Sequence, residues 1–155
     1  MLEPGTKAVH TGGCQCGAVR YALYAEPTEG SICHCRMCQK AVGNLFAAFT
    51  GVRRRDFAWT RGAPGIFRSS TVVERGFCRD CGTPLSFAYV ENDRISVTVG
   101  SLDRPAGIAI EEQFGTESRL PAFATLHLLP ESTTEGSNPP GFAGRIVSHQ
   151  HPDHD

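Results

Sequence analysis

The chain has 155 residues and a mass of 16.7 kDa, a length that one ordinary domain with a single core accommodates. Hydrophobic residues make up 40% and aromatic residues 8%, while 17 Gly and 10 Pro exceed the average share of about 12% for those two types, which favours short strands and turns over long helices. A formal net charge of -1 excludes a global positive field for nucleic acid or anionic membrane, and no apolar run approaches the roughly 20 residues needed to span a bilayer, so neither is an expected partner.

Met1 to Lys7 carries neither the basic region nor the apolar stretch of a secretory leader, which predicts a cytoplasmic, reducing compartment. The first cysteines, Cys14-Gln15-Cys16, precede Ala18 to Tyr24, where Val19, Tyr21 and Leu23 alternate with Arg20, Ala22 and Tyr24 as in a half-buried strand. Cys33-His34-Cys35-Arg36-Met37-Cys38 leads into a short helix expected over Arg36 to Val42 and ended by Gly43. Leu45 to Phe49 reads as a buried strand, and Asp56 to Thr60 and Ile66 to Arg68 as further short ones. Thr71 to Phe77 runs into Cys78-Arg79-Asp80-Cys81-Gly82. Leu85 to Val90 leaves that cluster, and Asn92-Asp93 turns into Arg94 to Val99. With Ile108 to Phe114, around eight strands and no alternating long helices predict an all-β fold. The polar, turn-rich stretch after Pro130 divides the chain into a domain over 1–129 and a flexible tail over 130–155, whose His149, His151 and His154 read as a solvated terminus. Arg53-Arg54-Arg55 reads as a solvated face, and Ser69, Ser70 and Asp103 form no recognisable hydrolase triad.

The seven cysteines are an odd number, so a complete intramolecular disulfide framework is excluded, and their three clusters are more informative than their count. Thiolates two or three residues apart on a tight turn can aim both sulfurs at one metal about 2.3 Å away. Structural zinc takes four closed ligands and a reactive zinc three with one open position, so seven thiolates divide as four plus three. The economical division places Cys14, Cys16, Cys78 and Cys81 at a closed site, and Cys33, Cys35 and Cys38 at a second, reactive one. An assignment in which Cys78 or Cys81 closes the Cys33 to Cys38 cluster stays open at this level, as does iron in place of zinc. A thioredoxin-like use of Cys78 and Cys81 is disfavoured because Gly82, Thr83 and Pro84 follow where that motif opens a helix.

Three stretches together, Gly12-Gly13-Cys14-Gln15-Cys16-Gly17-Ala18-Val19-Arg20-Tyr21, Cys33 to Lys40, and Phe77-Cys78-Arg79-Asp80-Cys81-Gly82-Thr83-Pro84-Leu85, resemble the glutathione-dependent formaldehyde-activating enzyme family. Val99-Gly100-Ser101-Leu102-Asp103 extends the likeness, which runs from Gly12 to Asp103 and more weakly to Phe123. The resemblance implies a Mss4-like fold of zinc-stapled antiparallel sheets with knuckle-bearing hairpins and a short helix. It also implies two zinc ions per chain, divided as above, and a carbon-sulfur lyase that interconverts S-hydroxymethylglutathione with glutathione and formaldehyde. The chain departs from the family pattern in Ile108 to Leu120, which holds neither the His nor the Trp that many members carry there; Trp59 is the only tryptophan.

On this reading Cys33, Cys35 and Cys38 are the catalytic cysteines, with a fourth position open to a small thiol such as glutathione. Three thiolates on a divalent ion leave a charge of about -1, and a fourth makes about -2, so nearby cations are expected. Arg36 and Lys40 are the local candidates, either for that charge or for a glutathione carboxylate, and His34 is expected to support the site rather than ligate. The alternative reading is a non-enzymatic zinc-binding interaction module on the same fold, favoured by the missing His and Trp and by Arg53 to Arg55.

Overall fold

The computed structural model describes residues 5–154. Residues 1–4, on which part of the leader reading falls, and residue 155 of the tail lie outside the described residues. Ten strands form among those described: β1 (His10–Gly13), β2 (Arg20–Leu23), β3 (Thr28–Cys33), β4 (Ala47–Arg53), β5 (Phe57–Arg61), β6 (Gly65–Arg68), β7 (Val73–Phe77), β8 (Pro84–Tyr89), β9 (Arg94–Thr98) and β10 (Glu112–Phe114). One α-helix, α1 (Arg36–Val42), occupies the expected span. The architecture is all-β, in agreement with the composition and with the sheets the family resemblance implies. No helix among the described residues is long and apolar enough to cross a membrane.

The strands form two sheets, one in the order β1-β2-β5 and one in the order β10-β3-β4-β9-β8-β7-β6. The pairs are antiparallel except β10 with β3, where Glu112, Gln113 and Phe114 run parallel to Ser31, Ile32 and Cys33. A parallel pair needs a long connection, and here most of the second sheet is built before the chain returns to that edge. The strand expected over Ile108 to Phe114 contracts to β10, while β1 and β3 add strands that the alternation does not announce.

The core lies between the sheets. Tyr21 and Leu23 of β2 and Leu85 and Val97 of β8 and β9 are fully buried, with Val52 and Leu102 packed in the same cluster. Each large side chain removed from water there contributes about 1.5–3 kcal/mol. The alternation in β2 suggests one wet face, but all four of its residues are buried. Arg20 tolerates this because Nη1 donates to Asp103 Oδ1 at 2.9 Å and Nη2 donates to Oδ2, while the Thr11 hydroxyl also donates to Oδ2. A paired and hydrogen-bonded ion can be buried where a lone one cannot.

Candidate functional site

Two hairpin turns carry the first group of cysteines. Cys14 N–H donates to Val19 O at 2.9 Å, and Cys78 N–H donates to Thr83 O at 2.9 Å, so each cysteine opens a tight loop closed five residues later. Gly17 and Gly82 sit in these loops at φ 78° and 77°, a left-handed conformation that glycine adopts without steric cost. The two loops bring Cys14, Cys16, Cys78 and Cys81 together, their four Sγ atoms within 4.8 Å of one another. Cys14 and Cys16 Sγ lie 3.5 Å apart, and Cys16 and Cys78 Sγ 3.8 Å. These separations are far above the roughly 2.05 Å of a disulfide and close to the 3.8 Å or so between thiolates placed tetrahedrally about 2.3 Å from one ion. The tail returns to this turn, where His151 N–H donates to Gln15 O at 2.7 Å and Arg61 bridges Gly17 O and His151 Nε2, each at 3.1 Å.

The second group is built where β3 meets α1. Cys33 ends the strand, Cys35 is the N-cap of the helix, and Cys38 lies in its first turn, its N–H donating to Cys35 Sγ at 3.4 Å. Sulfur thus replaces the oxygen that usually caps a helix, and the cap fixes Cys35 Sγ against the first turn that carries Cys38. The Sγ atoms of Cys33, Cys35 and Cys38 lie within 4.8 Å of one another, and Cys78 and Cys81 belong to the other group. Burial pushes the Cys33 thiol up to about 12 and raises that of Cys38 against the pull of Arg75. At Cys35 burial also acts upward, but the Cys38 N–H, the neighbouring thiols and the Arg75 charge outweigh it and hold the group below the ordinary thiol range.

Three residues remote in sequence complete this second site. Arg75, buried on β7, donates through Nη2 to Cys38 Sγ at 3.3 Å and through Nε to Ser69 Oγ at 3.1 Å, its guanidinium 5.0 Å from the Phe87 ring centroid. Gln113 of β10 reaches His34, whose Nε2 lies 3.0 Å from Gln113 Oε1. His34 is fully buried against Phe46 and Phe123, its Nδ1 has no hydrogen-bond partner, and it stands outside the cysteine group. Gly115, at φ 61°, backs onto Cys35 so closely that a Cβ there would lie 2.7 Å from Cys35 N and 2.9 Å from its Cβ. Arg36 and Lys40 are exposed, and Arg36 donates to Gln39 Oε1 at 3.2 Å. Gln39 in turn is buried and donates to His34 O at 2.7 Å and Ser118 O at 3.0 Å, tying the cysteine loop to the segment after β10.

A cleft of about 590 Å³ opens on Cys33 and Cys38. Phe49 and Phe87 form its apolar wall, with Tyr89 and Phe114 at the mouth. Glu29, Glu111 and Glu112 also line it, Glu29 being paired with Arg94 at 3.1 Å. All seven cysteines are free thiols. Soft donors gathered as four and three, without disulfides, fit metal ions of the zinc type at both groups.

Comparison with known proteins agrees with this chemistry. An uncharacterized lyase of Schizosaccharomyces pombe is 34% identical over 80 residues, which cover 52% of this chain and 58% of that protein. The match therefore spans little more than half of the relative's length. A solved Rhodobacter sphaeroides protein superposes with a TM-score of 0.52 at 25% identity, covering 66% of this chain and 98% of its own. The family model described as glutathione-dependent formaldehyde-activating enzyme matches residues 9–118, a span that holds both cysteine groups as well as Arg75, Gln113 and Gly115. On that match, the chain belongs to the glutathione-dependent formaldehyde-activating enzyme family.

Proposed function

We propose that the protein is a zinc-dependent carbon-sulfur lyase acting on a small thiol adduct, with S-hydroxymethylglutathione, glutathione and formaldehyde as its reactants. The observation that carries this reading is a trio of clustered thiols, two of which, Cys33 and Cys38, line a cleft with room for a further sulfur. Family membership and the lyase name of the Schizosaccharomyces pombe relative support the reaction class. One ion is assigned to Cys14, Cys16, Cys78 and Cys81 as a staple, and one to Cys33, Cys35 and Cys38.

Cys33, Cys35 and Cys38 would hold the zinc, which when bound would supply a Lewis acid able to lower the pKa of a substrate thiol. Phe49 and Phe87 exclude water beside Cys33 and Cys38 and favour the methylene of the adduct. Arg36 and Lys40, exposed on α1, are assigned to a substrate carboxylate. Because Glu29 is engaged by Arg94, the carboxylates of Glu111 and Glu112 are assigned the proton of the adduct's hydroxyl. As that proton leaves, the carbon-oxygen bond gains its second pair, the carbon-sulfur bond breaks with its electrons on sulfur, and formaldehyde and thiolate separate. The reverse sequence joins them.

The test is the exchange rate between glutathione with formaldehyde and their adduct, followed by NMR with the zinc-loaded chain. Acceleration over buffer is expected, with loss of that acceleration in a folded Cys35→Ser chain. An exchange rate equal to that of buffer overturns the assignment.

A further inference from the structure

Arg75 lies on a strand remote in sequence from the three cysteines, and none of the roles assigned above uses it. It is 8% exposed, and its hydrogen-bond partners are Ser69 and Cys38. Among the described residues no carboxylate pairs with it, in contrast to Arg20, which has Asp103, and Arg94, which has Glu29. A guanidinium stays charged at any physiological pH, and a buried charge without an opposite charge is strongly disfavoured. The electron-rich face of Phe87, 5.0 Å away, offsets only part of that cost. The one sulfur that Arg75 touches, Cys38 Sγ, supplies that opposite charge when it is a metal-bound thiolate.

The balance is simple. Three thiolates around a divalent ion carry one net negative charge, which a single arginine cancels. We propose that Arg75 is the counter-cation and positioning residue of the Cys33, Cys35 and Cys38 site: it neutralises the loaded trio through Cys38 Sγ and lets the site accept a further anionic sulfur. This inference rests on the reading of those cysteines as metal ligands. The geometry suits arginine in particular, because Nε and Nη2 diverge from one planar fork, one to Ser69 and one to Cys38, while the plane lies against Phe87. Lysine offers the charge without the fork. Arg36 and Lys40, nearer in sequence, are exposed to water that screens them.

The test is zinc affinity, measured by competition of the zinc-loaded full chain with a chromophoric chelator. Arg75→Met is expected to loosen one zinc equivalent by about 10- to 100-fold, the usual effect of removing a hydrogen-bond donor to a metal ligand, and to leave the other unchanged. Arg75→Lys is expected to recover part of the loss, which restored volume without charge does not do. Ser69→Ala removes only the acceptor of Nε, is expected to loosen the same equivalent by a smaller factor, and decides the outcome if Arg75→Met does not fold. Two zinc equivalents in the wild type, with affinities unchanged in the folded variants or lowered alike at both sites, overturn the role of Arg75 alone. A wild-type chain that holds a single equivalent overturns the metal reading of the trio and this inference with it.

Discussion

Arg20 and Asp103 join the two sheets through a bidentate pair whose side chains are only 3% and 8% exposed. Arg20 belongs to β2 and Asp103 follows β9, so the pair clamps the first sheet to the second, reinforced by the donation from Asp103 N–H to Thr11 O at 2.9 Å. Asp103→Ala takes the bidentate carboxylate away from a buried guanidinium, a break in a buried ion pair that is expected to cost about 3–5 kcal/mol at neutral pH, read from urea unfolding. Burial pushes the Asp103 carboxyl upward, but the Arg20 guanidinium and the Thr11 hydroxyl outweigh it and hold the group below the usual carboxylate range. With a depressed folded pKa, the stabilisation is present above the ordinary value of about 3.9 and is lost as pH falls from there through the folded value. The stability gap between wild type and Asp103→Ala should therefore narrow in acid, and a constant gap contradicts this.

Gly115 stands behind Cys35 from eighty residues further along the chain. A Cβ at that position meets Cys35 N, Cβ and Cα at 2.7, 2.9 and 3.1 Å, and the backbone there is left-handed. Gly115→Ala is expected to push Cys35 out of the trio, so that metal analysis finds about one zinc equivalent fewer while the Cys14, Cys16, Cys78 and Cys81 group keeps its own. Unchanged metal content contradicts the placement.

The contrast between α1 and the residues around it shows what can be read from a sequence. The span of α1 is local chemistry: Cys35 caps one end and left-handed Gly43 the other, so Arg36 to Val42 is found where the pattern puts it. Cysteine spacing likewise marks three local clusters, while the joining of Cys14 and Cys16 to Cys78 and Cys81, apart from Cys33, Cys35 and Cys38, is settled by the fold. The segment over Thr28–Cys33 hides its strand, since Thr28, Glu29 and Gly30 carry no alternation and pairing with β4 and β10 makes it β. Arg75, Gln113 and Gly115 stay invisible for a different reason. Arg75 reaches Cys38, Gly115 reaches Cys35 and Gln113 reaches His34 across sheet pairings that no local periodicity encodes.

Gln113 is the partner that makes a buried histidine tolerable. His34 already has one ring nitrogen without a partner, and Gln113→Ala removes the other's. A loss of about 1–3 kcal/mol is expected from thermal or urea unfolding, the cost of an unsatisfied buried polar group. An effect within the noise of a surface substitution contradicts the importance of that contact.

The four-cysteine group ties the turn before β2 to the turn between β7 and β8, two places the chain visits more than sixty residues apart. Chelation of zinc, or Cys78→Ser, is therefore expected to lower the unfolding temperature sharply, because the energy of metal binding there is also folding energy. Circular dichroism of the chelated chain checks this, and a cooperative transition at the original temperature contradicts it.

Cobalt substitution tests the central reading most directly, since cobalt bound by thiolates absorbs visibly where zinc is silent. The absorption spectrum of the cobalt-loaded chain is recorded before and after addition of glutathione. A spectral change that disappears in Cys35→Ser and persists when the tail histidines are replaced is expected if Cys33, Cys35 and Cys38 hold a metal with a position open to an external thiol. Two filled sites whose spectrum glutathione leaves unaltered would contradict a thiol-accepting centre.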